Sequence, residues 1–400
     1  MKIRKVRATE ELVRLSGEYN LIRKHFQHIV LEGSAYEVGR QQAEILKREN
    51  PEAAKWFSSA KVDPAKMGFS NFRELQSFYE EYCPGITDEI VGFADGLGVE
   101  LNRLQIYNPP IYHPGNCSQF AVLSSMTVDK HVYVGRSYEF NHNENDLRLC
   151  TVRIKGKVKH LGFTELLLGR DDGLNEYGLC VTFSGGGILK REPRKRGFNF
   201  FLIVRTLLDN CRSVAEAVEH LKRTPMSGFW NFLMTDKNDN AALMQFFDGE
   251  YSVKHVGKDS SEQCLFSTNH YVLPDMVKYQ EFAGDWILKN SKKRFELIGA
   301  TLSRTAQNIS KDDIRNLLSK EIYDGVCGHY YTDYFGTLFS VIYDLTNLRV
   351  DTCFGAPTHN GWNKQLSLDD RIGVNRYSAV FPDKSIKSDQ LWFTNPQENE

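Results

Sequence analysis

The chain has 400 residues, of which 41% are hydrophobic and 25% are charged, and its formal net charge at pH 7 is -1. This composition is that of a globular protein, and the length allows two or three domains or one large domain. Because the net charge is close to zero, neither nucleic acid nor an acidic membrane surface is expected as the main partner.

The first part of the chain, residues 1–108, is predicted to be helical. The segment SAYEVGRQQAEILKREN begins with Ser34 and has Glu37 three residues later, which is the pattern of a capping box. A second helix is predicted for ITDEIVGFADGLGVE, whose apolar residues recur at helical spacing. The charged start has no apolar core of a secretory signal, and no run approaches the roughly 20 apolar residues of a membrane span. A cytoplasmic location is therefore expected.

Strand-like segments follow a loop at residues 109–115 that is rich in proline and glycine. Four of them are SQFAVLSSM, VYVGRSYEF, LRLCTVRIKG and YGLCVTFSGGG. Helices are predicted for FNFFLIVRTLLDN, for SVAEAVEHLKRTP and again over residues 290–320. Hairpins are predicted in FWNFLMTDKNDNAALMQFF and GTLFSVIYDLTNLRVDTCFG. This pattern favours antiparallel sheets covered by helices, an α+β fold.

Few motifs point to a bound group. The usual metal, nucleotide and phosphate motifs are absent, so no metal or cofactor is predicted. The glycine-rich SGGGILK is interpreted as a tight loop. The basic tract at residues 189–197 is interpreted as a solvated loop, with attraction of an anionic substrate as the alternative. Seven of the eight cysteines are interpreted as reduced and buried, and the exception is Cys117, which begins a strand after a loop.

A cysteine in this position can be a nucleophile without a histidine partner. If the Asn116–Cys117 bond is cut, the new α-amino group can act as the base, because its pKa is roughly 7.7–8.0. With a turn centred near residues 129–130, Cys117 is expected opposite residue 142, within two or three positions.

This pairing brings GRSYEF close to the thiol. Arg136 would then stabilise a thiolate or hold a substrate carboxylate. Glu139 would accept hydrogen bonds from the new α-ammonium group. The alternative is that both are ordinary surface charges on a strand.

Several stretches occur together in an order typical of one enzyme family. They are LEGSAYEVGRQQAEIL, EIVGFADGLGVELNRLQIYN, NCSQFAV with VYVGRSYEF, GLNEYGLCVTF, FSTNHYV and GTLFSVIYDLTNLRV. They resemble the isopenicillin-N acyltransferase branch of the N-terminal nucleophile hydrolases, which is related to choloylglycine hydrolases. The resemblance covers nearly the whole chain, residues 30–355. It implies a four-layer αββα sandwich with an N-terminal helical segment.

The resemblance also implies roles for single residues. Cys117 takes the position of the nucleophile, Arg136 and Glu139 those of the arginine and the acid, and Asn269 that of the oxyanion asparagine. The chain departs from the family at three points: Glu139 replaces the usual aspartate, Ser184 is nearest to a second oxyanion asparagine, and Asn116 replaces a glycine.

The resemblance implies a division of the chain as well. Cleavage before Cys117 would leave a helical pro-segment, residues 1–116, and an αββα catalytic domain, residues 117–400.

The predicted function is that of a self-processing cysteine amidase or acyltransferase. It would act on a small-molecule linear acyl amide through a thioester. One alternative is a papain-type cysteine hydrolase in an uncleaved chain, with Cys117 paired to a histidine such as His270. Another is a catalytically impaired relative that acts as a binding protein.

Overall fold

The computed structural model describes residues 11–14, 19–107, 116–143, 147–164, 168–186, 197–280, 285–304, 308–322 and 324–384. Its strands are β1 (Glu11–Arg14), β2 (Tyr19–Gly33), β3 (Asn116–Val122), β4 (Tyr133–Phe140), β5 (Arg148–Ile154), β6 (His160–Thr164), β7 (Asp172–Asn175), β8 (Leu179–Gly185), β9 (Phe229–Asp236), β10 (Asn240–Phe247), β11 (Glu250–Val256), β12 (Cys264–Ser267), β13 (His329–Tyr330), β14 (Phe335–Asp344), β15 (Arg349–Phe354), β16 (Asn363–Ser367) and β17 (Gly373–Lys384). Its α-helices are α1 (Ala35–Glu49), α2 (Pro51–Phe57), α3 (Phe72–Tyr82), α4 (Ile86–Leu97), α5 (Phe200–Asn210), α6 (Val214–Arg223), α7 (Pro274–Val277), α8 (Asp285–Arg304) and α9 (Lys311–Ser319).

The strands form two sheets. The larger sheet has ten strands in the order β1-β2-β5-β6-β7-β8-β9-β10-β11, with β17 also paired to β2. The smaller sheet has seven, in the order β12-β3-β4-β14-β15-β16, with β13 paired to β14. The pairings within these sheets are antiparallel except that of β2 with β5, which is parallel.

Three apolar cores separate four layers. The outer face of the larger sheet packs on α4, α5 and α6, and its inner face packs on the smaller sheet, where the rings of Phe163 and Phe339 stack with centroids 3.8 Å apart. The outer face of the smaller sheet packs on α8 and α9. The four-layer αββα order is therefore confirmed. It forms because each sheet is apolar on both faces and must be covered twice.

Local signals in the sequence located most elements correctly. The capping box predicted at Ser34 is formed, and the two predicted hairpins are β9–β10 and β14–β15. The proline-rich loop at residues 109–115 and residues 189–196 of the basic tract lie outside the described residues. None of the helices among the described residues combines the length and apolar composition that a membrane crossing requires.

The prediction that residues 1–108 are entirely helical is wrong, because Tyr19–Gly33 forms the long strand β2. Its buried run includes the β-branched Ile29 and Val30, which favour strands. Besides the neighbouring β1, the partners of β2 are β5 and β17, which lie more than a hundred residues away in sequence. A buried strand with partners this distant has no local alternation to mark it.

A buried ion pair joins the N-terminal segment to the rest of the sandwich. Glu89 of α4 is fully buried, and Arg205 of α5 donates to its two carboxylate oxygens at 2.7 and 3.3 Å. Gln42 donates to the same carboxylate at 2.8 Å. Breaking such a pair leaves an unpaired buried charge, which destabilises a fold by about 3–5 kcal/mol. Described residues from both sides of the Asn116–Cys117 bond therefore contribute to one core, and the division into 1–116 and 117–400 stays a prediction about cleavage.

Candidate active site

Cys117 lies at the second position of β3, and only 3% of its surface is exposed. Its backbone N–H donates to Asn269 Oδ1 at 2.8 Å, and its carbonyl accepts from Arg294 Nη1 at 2.5 Å. The peptide bond between Asn116 and Cys117 thus lies in a buried strand. Hydrogen bonds to Asn269, after β12, and from Arg294, on α8, fix the strand at Cys117. If that bond were cut, the Cys117 nitrogen would become an amine that is already hydrogen-bonded to Asn269 Oδ1.

The strand partner of Cys117 is Tyr138, so the prediction of residue 142 is wrong by four positions. A 3-10 turn, Ser124–Met126, follows β3 and moves the centre of the hairpin back from residues 129–130. GRSYEF nevertheless returns beside the cysteine, as predicted.

The pleat of the strands divides the candidate residues between two faces. Side chains alternate along a strand, and directly paired residues share a face. Cys117 and its partner Tyr138 therefore face the larger sheet, and Arg136 lies two residues along on the same face. Asn116 is paired with Glu139, and both face the helices α8 and α9.

Arg136 is fully buried between the two sheets. Its Nε forms an ion pair with Asp172 Oδ2 at 2.9 Å, and its Nη1 donates to the Phe183 carbonyl. Burial lowers the pKa of Arg136, but Asp172 and the neighbouring Cys117 raise it, and the net direction is upward. The guanidinium is thus a fixed positive charge that interacts electrostatically with the thiol of Cys117. The alternative that Arg136 is an ordinary surface charge is wrong. Asp172 was not singled out in the sequence, although it precedes GLNEYGL.

Glu139 is fully buried on the other face of the sheet. The hydroxyls of Ser137 and Thr337 donate to its Oε1, that of Thr337 at 3.1 Å, and Oε2 has no hydrogen-bond partner within the described part of the chain. Burial raises the pKa of Glu139 to about 7, while the charge of Arg294 acts to lower it. The carboxyl therefore changes charge near neutral pH. In the intact chain the acceptor of the Cys117 N–H is Asn269 and not Glu139.

Asn269 follows β12 and orients its amide toward two strands. Oδ1 accepts from Cys117, and Nδ2 donates to the Gly185 carbonyl at 3.3 Å, at the end of β8. The Asn269 backbone N–H donates to Ser291 Oγ at 2.7 Å. These contacts bring Asn269 to the cysteine, as the resemblance implied.

Arg294 is a site residue that was missed in the sequence. It projects from α8, is fully buried, and donates to Asn269 Oδ1 at 2.9 Å, Ser118 Oγ at 3.0 Å and Asn116 Oδ1 at 3.2 Å as well as to the Cys117 carbonyl. Burial lowers its pKa to about 10, while Glu139 and Cys117 act to raise it. One guanidinium therefore bonds to residues on both sides of the Asn116–Cys117 bond.

The sequence does contain a signal for Arg294. The apolar face of α8 includes Ile287, Ile298 and Leu302, all buried, and Arg294 falls on that face by helical spacing. A charged residue in an otherwise apolar stripe needs a buried partner. The run of Lys292, Lys293 and Arg294 obscures this because it looks like a solvated basic patch.

Ser184 belongs to a polar network between the sheets. Its hydroxyl donates to the Thr268 carbonyl and accepts from Gln119 Nε2 at 3.3 Å and Asn231 Nδ2 at 3.1 Å. A hydroxyl has one proton, and here it goes to a backbone carbonyl. The role of Ser184 as a second oxyanion donor stays a prediction, and its contacts instead hold the strands together around Thr268.

His270 was the candidate partner of Cys117 in the papain-type alternative. Its Nδ1 lies 2.7 Å from Ser291 Oγ and 3.2 Å from Thr268 Oγ1. Burial, with the charge of Arg294 adding to it, lowers the pKa of His270 to about 4. The imidazole is therefore neutral at neutral pH, which disfavours a thiolate–imidazolium pair.

Within the described ranges no group of three or more histidine, cysteine, aspartate or glutamate side chains is arranged to hold a metal ion. The described residues around Cys117 offer a thiol, two buried guanidiniums and a side-chain amide. Covalent acyl transfer needs groups of these kinds: a nucleophile, positive charge beside it, and a hydrogen-bond donor to the oxyanion.

A family model described as acyl-coenzyme A:6-aminopenicillanic acid acyl-transferase matches residues 126–359. The match covers more than half of the chain, and the chain belongs to this family. The matched range begins just after Cys117 and contains Arg136, Glu139, Ser184 and Asn269. No curated protein matches the chain.

Solved structures of several amide hydrolases are similar to the chain at low identity. A penicillin V acylase from Agrobacterium tumefaciens is 15% identical over 65% of this chain and 90% of its own, with a TM-score of 0.39. A mutant of the conjugated bile acid hydrolase from Clostridium perfringens is 13% identical over 65% and 96%, with a TM-score of 0.44. The N-acylethanolamine-hydrolyzing acid amidase ortholog of Caenorhabditis elegans is 13% identical over 57% and 93%, with a TM-score of 0.39.

The buried carboxyl of Glu139 predicts a pH dependence of stability. Its pKa is about 7 in the fold against an ordinary 4.5, so the folded state favours the protonated form. The stability that this proton provides is present below pH 4.5 and is lost as the pH rises through 7. Gln has no proton to lose, so Glu139→Gln avoids this loss. On a Cys117→Ala background, the free energy of unfolding of the Gln variant relative to that of its parent should therefore rise between pH 4.5 and 7, by on the order of 3 kcal/mol.

Denaturant unfolding at several pH values between about 4 and 8 measures this difference. Asp88→Ala on the same background is the control, because Asp88 is an exposed carboxyl on α4. Parallel stability curves for the Gln variant and its parent would contradict the assignment of Glu139 as the titrating group.

Proposed function

We propose that the protein is a self-processing cysteine amidase or acyltransferase, acting on small-molecule linear amides through a thioester at Cys117. The observation that carries the proposal is the hydrogen bond from the Cys117 N–H to Asn269 Oδ1 at 2.8 Å. It holds the nitrogen that cleavage would turn into the catalytic base. Membership of an acyl-transferase family supports the same reaction class.

Self-processing begins with attack of Cys117 Sγ on the Asn116 carbonyl carbon. The acyl group moves from nitrogen to sulfur, the C–N bond breaks, and the nitrogen takes a proton to become the α-amine. Water then attacks the thioester and releases the Asn116 carboxylate and the free thiol, so that one water is consumed. Arg294 bonds to the side chain of Asn116 and to the carbonyl of Cys117, and it keeps the two residues in place during these steps.

In turnover the thiolate attacks the carbonyl carbon of the substrate amide. Asn269 Nδ2 stabilises the oxyanion, and Arg136 and Arg294 favour the thiolate that starts the reaction. The amine leaves with a proton from the Cys117 α-ammonium, and the acyl group remains on sulfur. Water or a second amine then attacks the thioester, which gives an acid or a new amide and restores the thiol.

The three departures from the family fit this scheme unequally. The longer Glu139 is accommodated by two hydroxyl donors. Asn116, in place of a glycine, has a side chain bound by Arg294 and by a bond to the Tyr334 carbonyl at 3.2 Å. The Ser184 hydroxyl donates its proton to the Thr268 carbonyl, so Asn269 is the proposed donor to the oxyanion.

Intact mass tests self-processing directly. The purified chain should separate into two parts, the second beginning with Cys117, whereas Cys117→Ala should remain a single chain of 45.9 kDa. Cys264→Ala is the control, because this cysteine is only partly buried and lies on a different strand. Amide hydrolysis by a chain that never yields an N-terminal cysteine would contradict the mechanism.

Asn269→Asp separates the two functions of the amide. The substitution keeps an oxygen for the Cys117 nitrogen and for Arg294, but it removes the Nδ2 donor. We expect kcat per cleaved chain to fall about 10²–10³-fold with little change in KM, because an oxyanion donor acts in the transition state. Steady-state kinetics on an acyl p-nitroanilide measure this, with the exposed Asn102→Asp as control. An unchanged kcat would exclude Asn269 as the donor.

A further inference from the structure

Three polar residues form a row across the inner face of the larger sheet. Ser184 of β8 is paired with Asn231 of β9, which is paired in turn with Gln245 of β10. Directly paired residues share a face, and Gln119 of the smaller sheet donates to Ser184 Oγ at 3.3 Å, so this face is the inner one. All three residues of this polar row are fully buried beside the apolar core between the sheets. Buried polar groups are stable only where they are hydrogen-bonded, so the contacts of the row show what it holds.

The polar row bonds to the backbone on both sides of Asn269. This segment follows β12 and is irregular, so its backbone groups need partners other than a sheet ladder. On the N-terminal side, Asn231 Nδ2 donates to the Thr268 carbonyl at 3.1 Å, beside the serine hydroxyl of the row. On the C-terminal side, Gln245 Nε2 donates to the His270 carbonyl at 3.3 Å.

Backbone groups fix the orientation of the two amides in the row. The N–H groups of Val272 and Leu273 donate to Gln245 Oε1 at 2.8 and 2.7 Å, so the Nε2 end of Gln245 faces Asn231. An amide nitrogen can only donate, so Asn231 Oδ1 accepts from it at 2.8 Å. The Nδ2 donor of Asn231 is thereby directed at the Thr268 carbonyl.

Asn269 is consequently held between the polar row and α8. Its backbone N–H donates to Ser291 Oγ of α8 at 2.7 Å, while the row bonds to the carbonyls on either side of it. Its side chain joins the Cys117 nitrogen, 2.8 Å from Oδ1, to the Gly185 carbonyl, 3.3 Å from Nδ2. Loss of the contacts from Asn231 would let this backbone move, and Nδ2 would move with it.

We propose that Asn231 is a positioning residue, which holds the backbone around Asn269 so that Nδ2 meets the oxyanion of the reaction. The inference rests on the proposed function and adds a residue that acts on the reaction through Asn269. A misplacement of about 1 Å at a catalytic group costs on the order of 10²-fold in rate. The value of kcat can therefore depend on Asn231 without a contact between Asn231 and the substrate.

Asn231→Ala tests the inference with an acyl p-nitroanilide. We expect kcat per cleaved chain to fall about tenfold or more with little change in KM, because the donor acts in the transition state. Asn175→Ala is the matched control, since Asn175 is a buried asparagine of the same sheet whose amide donates instead to the Leu208 and Cys211 carbonyls. The control should leave kcat unchanged. An unchanged kcat in a folded, self-cleaved Asn231→Ala variant would overturn the inference.

Combination with Asn269→Asp separates positioning from a general loosening of the fold. Once the Nδ2 donor is absent, Asn231 has no donor to position, so Asn231→Ala should lower kcat less than about threefold in this background. Equal fold-reductions in the two backgrounds would overturn the inference, because the effect would then not pass through Asn269.

Two further measurements keep the test decisive. Thermal melting and self-cleavage show whether Asn231→Ala is folded, and if it is not, Asn231→Ser takes its place with the same expected results. Failure of the wild-type protein to hydrolyse acyl p-nitroanilides would overturn the proposed function, and the inference with it. The contrary outcomes for the Asn231 variants, seen beside an active wild-type protein, would overturn the inference alone.

Discussion

The site depends on one buried guanidinium. Arg294 projects from α8 into the end of the smaller sheet, where it bonds to Asn116, Cys117, Ser118 and Asn269. A buried arginine is stable only where its donors are satisfied, so Arg294 holds the strand β3, the residues after β12 and the helix α8 in one arrangement. That arrangement orients the Asn269 amide toward the Cys117 nitrogen, and the proposed chemistry follows from it.

The layers of the sandwich supply two separate environments to the two faces of the β3–β4 pair. On the inner face, Arg136 provides positive charge beside Cys117, and Asp172 fixes it there. On the outer face, Glu139 is buried near Arg294, and its raised pKa makes it titrate near neutral pH. The N-terminal segment belongs to the same structure, because β2 is an interior strand of the larger sheet and Glu89 is buried against Arg205. Cutting the chain before Cys117 would therefore create a new terminus without removing a layer.

Sequence patterns predicted the features that depend on residues close together in the chain. The capping box at Ser34 and the two hairpins were predicted correctly because caps and turns depend on a few neighbouring residues. The strand β2 was missed because two of its partners, β5 and β17, are distant in sequence. Arg294 was missed because Lys292 and Lys293 beside it make the run look like a solvated basic patch. The strand partner of Cys117 was misplaced by four positions because a 3-10 turn in the connection has no strong sequence signal. Asn269 was located through family resemblance and not from its spacing.

In the proposed reaction the sulfur of an N-terminal Cys117 carries the acyl group of the substrate. Acid quenching during turnover of an acyl p-nitroanilide, followed by proteolysis and mass spectrometry, shows whether it does. We expect an acyl adduct on the peptide that begins with Cys117, removable by hydroxylamine as a thioester should be. Continued turnover with no adduct on this peptide, or an adduct on another of the eight cysteines, would contradict the proposed reaction.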